Sequence, residues 1–140
     1  MFLYVGIASI LKDKKVTFSF EVFPPKTDDA YASVEAAVSV LSSLQPDYMS
    51  VTYGAGGGTS KHTVRIASEI QNKYHITALA HLTCLSSTRS GVEHLLDQLE
   101  EHGVDNVLAL RGDYPLGADP QTLPHEYRYA YELVSQIRRR

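Results

Sequence analysis

Four times in this chain an apolar, β-prone run ends in a polar or charged group and gives way to a helix-period segment, with about thirty residues from one run to the next. The runs are VTFSFEVF at Val16 to Phe23, YMSVT at Tyr48 to Thr52, ITALAHLTC at Ile76 to Cys84 and VLAL at Val107 to Leu110. Parallel strands need a long crossover and a helix supplies one, so the repeat predicts parallel pairing with helices outside the sheet. The spacing is that of a (β/α)₈ barrel, of which the chain carries about the first four units. With 140 residues, 44% of them hydrophobic, it is expected to form one domain over residues 1–140.

The segments between the runs read as helices. Ala30 to Leu44 places Val34, Val38, Leu41 and Leu44 at helical spacing, with Asp28 or Asp29 as its cap. Lys61 to Tyr74 carries Val64, Ala67, Ile70 and Tyr74 on one side. A third helix follows a cap at Ser86, Ser87 or Thr88, turns Val92, Leu95, Leu96 and Leu99 inward and stops at Gly103. A fourth runs from Tyr127 with Tyr131, Val134 and Ile137 inward. The apolar stretch Met1 to Leu11 is too short to span a bilayer and lacks a basic leader, so it reads as a short helix or strand packed on the body.

Composition narrows the function. A net charge of −3 with scattered basic residues leaves no stripe for nucleic acid. The single cysteine, Cys84, admits no internal disulfide, fits a reducing cytoplasm and reads as a small buried hydrophobe. No cysteine, aspartate or second histidine stands near His81 at metal spacing, so no metal site is expected.

What remains is a rim of polar groups at the strand ends. Glu21, Thr52, His81 and Asp113 occupy matching places in the four units, and active sites of barrel folds are built there. Taken singly each has a plainer reading. Glu21 is an exposed alternate on a half-polar strand, or an acid kept protonated by desolvation among Phe20, Val22 and Phe23. His81 is a satisfied core histidine or a ligand. Arg111, Gly112 and Asp113 follow at once on an apolar run expected to be buried on both faces, which would deliver a cation, a flexible glycine and a carboxylate to a fixed place. The glycine-rich turn Tyr53 to Ser60 fits neither nucleotide-loop pattern and serves as a phosphate cradle, a lid or a plain turn.

FSFEVFPPKT at Phe18 to Thr27, SVTYGAGGGTS at Ser50 to Ser60, AHLTC at Ala80 to Cys84 and ALRGDYP at Ala109 to Pro115, in that order, resemble the successive signatures of the methylenetetrahydrofolate reductase family. The resemblance covers about Val16 to Val134 and implies an FAD-dependent oxidoreductase that reduces 5,10-methylenetetrahydrofolate to 5-methyltetrahydrofolate with NADH or NADPH. It implies Glu21 as the general acid on the folate nitrogen and Asp113 as a second catalytic residue beside flavin and pterin, binding both. It implies FAD contacts from Thr52, Tyr53, Ala55, His81, Arg111, Gly112 and Ala130, with Thr52 also near the nicotinamide. Val22 departs from the family, where an aromatic commonly follows the glutamate.

Later strands, which in the family supply much of the adenylate pocket and further folate contacts, are not in this sequence. Full turnover by these 140 residues alone is therefore not expected. The alternative from another class is a non-catalytic half barrel with residual flavin affinity, acting as a homo-oligomer or with a complementary half. A third reading, a barrel enzyme that binds a phosphorylated metabolite at the glycine-rich turn, is weaker because such sites usually come from later strands.

Overall fold

The computed structural model describes residues 6–54 and 60–140. A short helix, α1 (Ile7–Asp13), precedes four strand–helix units: β1 (Ser19–Val22) and α2 (Tyr31–Ser42), β2 (Tyr48–Val51) and α3 (Ser60–Asn72), β3 (Thr77–Thr83) and α4 (Arg89–Glu101), β4 (Val107–Leu110) and α5 (Ala130–Ile137). The strands form one parallel sheet in the order β1-β2-β3-β4. Sequential order with a helix in every crossover is the arrangement of consecutive units of a (β/α)₈ barrel.

Alternation along each strand divides the sheet into two faces. Val22, Met49, Val51, Ala78, Ala80 and Leu82 face the helices and join Val38, Ile66, Ile70, Val92, Leu96 and Leu99 in the core. The other face carries Glu21, Ser50, Leu79, His81, Thr83 and Leu108. Near the start of the strands, α1 lies under this second face, where Ile7, Ala8 and Leu11 line a cavity of about 570 Å³ with Leu79 and Leu108. Asn106 fixes the helix there, accepting from the Ile7 backbone N–H at 3.0 Å and donating to the Ala78 carbonyl at 3.3 Å.

Where the fold differs from the sequence expectation, the reasons are local. Neither Asp28 nor Asp29 caps α2. Residues Asp28–Ala30 form a 3₁₀ turn, and the Asp28 carboxylate pairs instead with Lys61 at 3.0 Å and His62 at 3.1 Å. Leu44 falls beyond the end of α2 and is exposed. On α5 the buried residue is Leu133, and Ile137 packs against the core four residues on, whereas Tyr131 is 66% exposed and Val134 41%. The inward stripe is therefore rotated from the expected one, because Leu133 and Ile137 share the face that meets β4. β4 is not buried on both faces: Leu108 is 40% exposed, since β4 is an edge strand among the described residues.

Thr88 does cap α4, its hydroxyl accepting from the Gly91 N–H at 3.0 Å, and Val92, Leu95, Leu96 and Leu99 are buried as the spacing predicts. Cys84 is fully buried as expected, and burial pushes its thiol up from the ordinary value, so it is a packing residue. Among the described residues no helix is long and apolar enough to cross a membrane.

Candidate functional site

The strand register shows how nearly the four rim positions coincide. Glu21 pairs with Ser50, and Ser50 with Leu79. Thr52 follows Val51, whose partner is Ala80, so Thr52 lies level with His81. The Thr52 N–H donates to the Val22 carbonyl at 2.9 Å, carrying the ladder one step past the assigned strand. Glu21 therefore lies one same-face step deeper than Thr52 and His81, not level with them, because Phe23 holds the matching place on β1. Asp113 is three residues beyond the end of β4, past a turn.

Glu21 does not sit in an aromatic pocket. Phe20, its neighbour in sequence, points to the helix side, where it packs on the core, and Phe23 is 68% exposed. Phe20 stacks edge-on with Phe18, ring centroids 4.8 Å apart, instead of covering the carboxylate. A strand sends adjacent side chains to opposite faces, so the residues before and after Glu21 cannot enclose it. Glu21 is exposed, on the same sheet face as His81. The imidazole is 9% exposed, burial lowers its pKa below the usual histidine value, and the negative charge of Glu21 opposes that shift. Two strands apart in the sheet, these residues share one electrostatic environment.

Beside His81, the end of β3 grips the turn that follows β4. The Arg111 carbonyl accepts from the Leu85 N–H at 2.9 Å and the Cys84 N–H at 3.3 Å. Gly112 then takes φ +79°, the left-handed region, and a Cβ built there would stand 2.8 Å from the Thr83 Cβ. Glycine is required on both counts. The peptide after Arg111 is thus pinned, with Asp113 exposed beyond it and without an ion pair among the described residues.

The remaining positions read as follows. Tyr53 is half-buried next to Thr52, and burial pushes its phenol up while a hydrogen bond with Ser60 opposes the shift. Ala55 lies outside the described residues. Ala130 opens α5, with Tyr129 as N-cap and the Glu132 carboxylate accepting from the Arg128 and Tyr129 N–H groups at 2.6 and 2.8 Å. The structure thus brings Glu21, Thr52 and His81 to one face and sets Arg111 and Gly112 at its rim against β3. Two residues that sequence reading passed over belong with them. Ser50 lies level with Glu21, and Thr83 backs Gly112. Period-two alternation from Thr52 and His81 was the available signal for both. Among the described residues no group of three or more His, Cys, Asp or Glu is placed to hold a metal ion.

A sequential parallel sheet, crossover helices on one face and a polar rim where the strands end define a run of consecutive units from a barrel-type α/β domain. The sequence model of methylenetetrahydrofolate reductase matches residues 6–140, and the chain belongs to that family. It is 38% identical over 133 residues to the methylenetetrahydrofolate reductase (NADH) 1 of Arabidopsis thaliana, an alignment covering 94% of this chain and 22% of the relative. It is 35% identical to the 5,10-methylenetetrahydrofolate reductases of Pectobacterium carotovorum, over 89% of this chain and 40% of the relative, and of Buchnera aphidicola, over 99% and 48%. The chain therefore spans between about a fifth and a half of these relatives' lengths.

Proposed function

We propose that this chain provides the proton-donating face and part of the cofactor rim of a methylenetetrahydrofolate reductase, reducing 5,10-methylenetetrahydrofolate to 5-methyltetrahydrofolate with FAD and NADH or NADPH. The observation that carries the reading is the placement of Glu21, Thr52 and His81 on the sheet face opposite the crossover helices, beside the pinned Arg111–Gly112 turn.

The donor set suits a flavin: hydroxyls at Thr52 and Tyr53, an imidazole kept mainly neutral, a guanidinium with no ion pair among the described residues, and a glycine that lets backbone come close. Thr52, Tyr53, Ala55, His81, Arg111, Gly112 and Ala130 would hold it. When bound, FAD supplies the hydride relay between the nicotinamide and the folate. Glu21 is the proton donor to the folate nitrogen, a transfer that opens the five-membered ring and leaves its carbon ready to accept hydride. Asp113 accepts hydrogen bonds from the pterin and keeps a negative charge at the flavin edge. With one reduced cysteine and no spanning helix among the described residues, the cytoplasm is the compartment we assign.

A second reading is favoured by the outer edges of β1 and β4, which have no strand partner among the described residues. On it, the 140 residues are one half-barrel domain that gains function only through self-association or a complementary half. Absorption spectra of the purified chain with added FAD, followed by anaerobic NADH, separate the two. Bound flavin that bleaches supports catalytic competence, whereas a colourless protein limits the chain to a partial role. In a chain carrying the later strands, Glu21→Gln should stop folate reduction while flavin reduction by the nicotinamide survives. Equal loss of both half-reactions would refute the role given to Glu21.

A further inference from the structure

The segment between β4 and α5 folds back over the ends of β3 and β4 and leaves a cavity of about 280 Å³ lined by Leu85, Arg111, Tyr114, His125, Tyr127 and Arg128. Three of its six lining residues carry basic side chains and none carries a carboxylate, in a chain whose net charge is −3.

Of the nearby acids, Asp113 is exposed and is not among the lining residues, and the other two are engaged elsewhere. Glu126 turns away to the first turn of α4, accepting from the Arg89 N–H at 2.6 Å. Glu132 accepts from two backbone N–H groups at the start of α5, which holds its carboxyl below the ordinary value. The side chains of Arg111 and Arg128 make no ion pair among the described residues. The Arg111 guanidinium carbon stands 5.7 Å from the centre of the Tyr114 ring. The floor is rigid: Tyr127 is 3% exposed, with the Arg89 guanidinium on its ring at 4.8 Å and its hydroxyl bonded to Gln136.

We propose that this cavity is an anion site that takes a phosphoryl or diphosphoryl group, with Arg128 and His125 as the residues that select it alongside Arg111. Guanidinium groups match phosphate oxygens in a planar fork, and two of them with an imidazole complement a diphosphate better than a carboxylate. The volume is below that of pockets which enclose a whole drug-sized ligand, so the site takes the charged part of a larger molecule or a free inorganic anion. The anion preference stands without the flavin reading, since an inorganic ion can probe it.

The test is a titration of the 140-residue chain with inorganic pyrophosphate, followed by backbone and arginine side-chain NMR shifts. Saturable shifts at Arg111, Tyr114, Arg128 and Tyr129 are expected, with binding weakened about tenfold in Arg128→Gln and further in the His125→Ala, Arg128→Gln pair. Both residues are exposed, so the fold should survive, and a retained spectrum elsewhere checks it. Arg138→Gln, on the exposed end of the chain, should bind as the parent does. Shifts spread over all basic residues, or no saturation at millimolar pyrophosphate, would overturn the site. Riboflavin and FAD distinguish the sources. FAD competing with pyrophosphate while riboflavin does not makes the anion part of a dinucleotide. Pyrophosphate binding with no flavin binding leaves a free anion site and counts only against the flavin reading.

Discussion

Glu21 on β1 and His81 on β3 act on each other across the intervening strand: burial lowers the imidazole pKa and the carboxylate opposes that shift. Removing the carboxylate leaves burial unopposed. Glu21→Gln is therefore expected to lower the His81 pKa further. A ¹H–¹³C NMR titration of the imidazole would measure this, and an unchanged midpoint would mean that the two groups do not share a site.

The same histidine links stability to acidity. Its ordinary value is 6.5 and the folded value lies lower, so between the two the unfolded chain binds more protons than the folded one. This contribution is fully present above about pH 6.5 and is lost as pH falls through the folded value. Urea unfolding at a series of pH values should show the loss, and His81→Gln should flatten that part of the profile.

These two residues also show how far the sequence carried. Periodicity alone placed four parallel units, because an apolar run followed by an amphipathic helix has few other ways to bury both. The cap at Thr88 and the packed face of α4 were legible for the same reason: they depend on neighbours three or four residues away. Register was not. That Glu21 lies one step deeper than Thr52 and His81 depends on where β1 docks on β2, which no local pattern states. The expected aromatic enclosure of Glu21 failed on alternation, which counted neighbours in sequence as neighbours in space. The cationic cavity beside Arg111 was illegible because His125 and Arg128 arrive from a segment with no period at all.

Gln71 was likewise invisible to pattern reading, yet it is fully buried on α3. Its amide nitrogen donates to the Gly103 carbonyl and its oxygen accepts from the Ala78 N–H at 3.3 Å, tying α3 to β3 and to the turn after α4. Gln71→Leu keeps the volume but strands both backbone groups. A loss of about 2–4 kcal/mol is expected in chemical denaturation, since each buried unsatisfied group costs roughly 1–3 kcal/mol. A loss under about 0.5 kcal/mol would mean the bonds are replaced by water.

Thr88→Ala removes the side-chain acceptor for the Gly91 N–H and should cost about 1 kcal/mol. Thr88→Ser, which keeps the oxygen, should recover most of it. Two equal losses would place the effect in packing and not in the cap.

Gly112 offers the sharpest test of how the rim is held. An added methyl would meet Thr83 Cβ at 2.8 Å and Cγ2 at 3.1 Å, and the φ of +79° would be strained for any side chain. Left-handed strain and overpacking each cost about 1–3 kcal/mol, so Gly112→Ala should lower stability by roughly 2–5 kcal/mol if the turn stays in place. If the turn swings away instead, the loss is smaller, and the amides of Cys84 and Leu85 lose the Arg111 carbonyl and exchange faster with solvent. Hydrogen exchange at those two amides distinguishes the responses. Trimming the partner with Thr83→Gly in the Gly112→Ala background should restore part of the stability, because it removes the clash and leaves only the backbone strain. No recovery in the double variant would show that Thr83 is not what makes glycine necessary at this position.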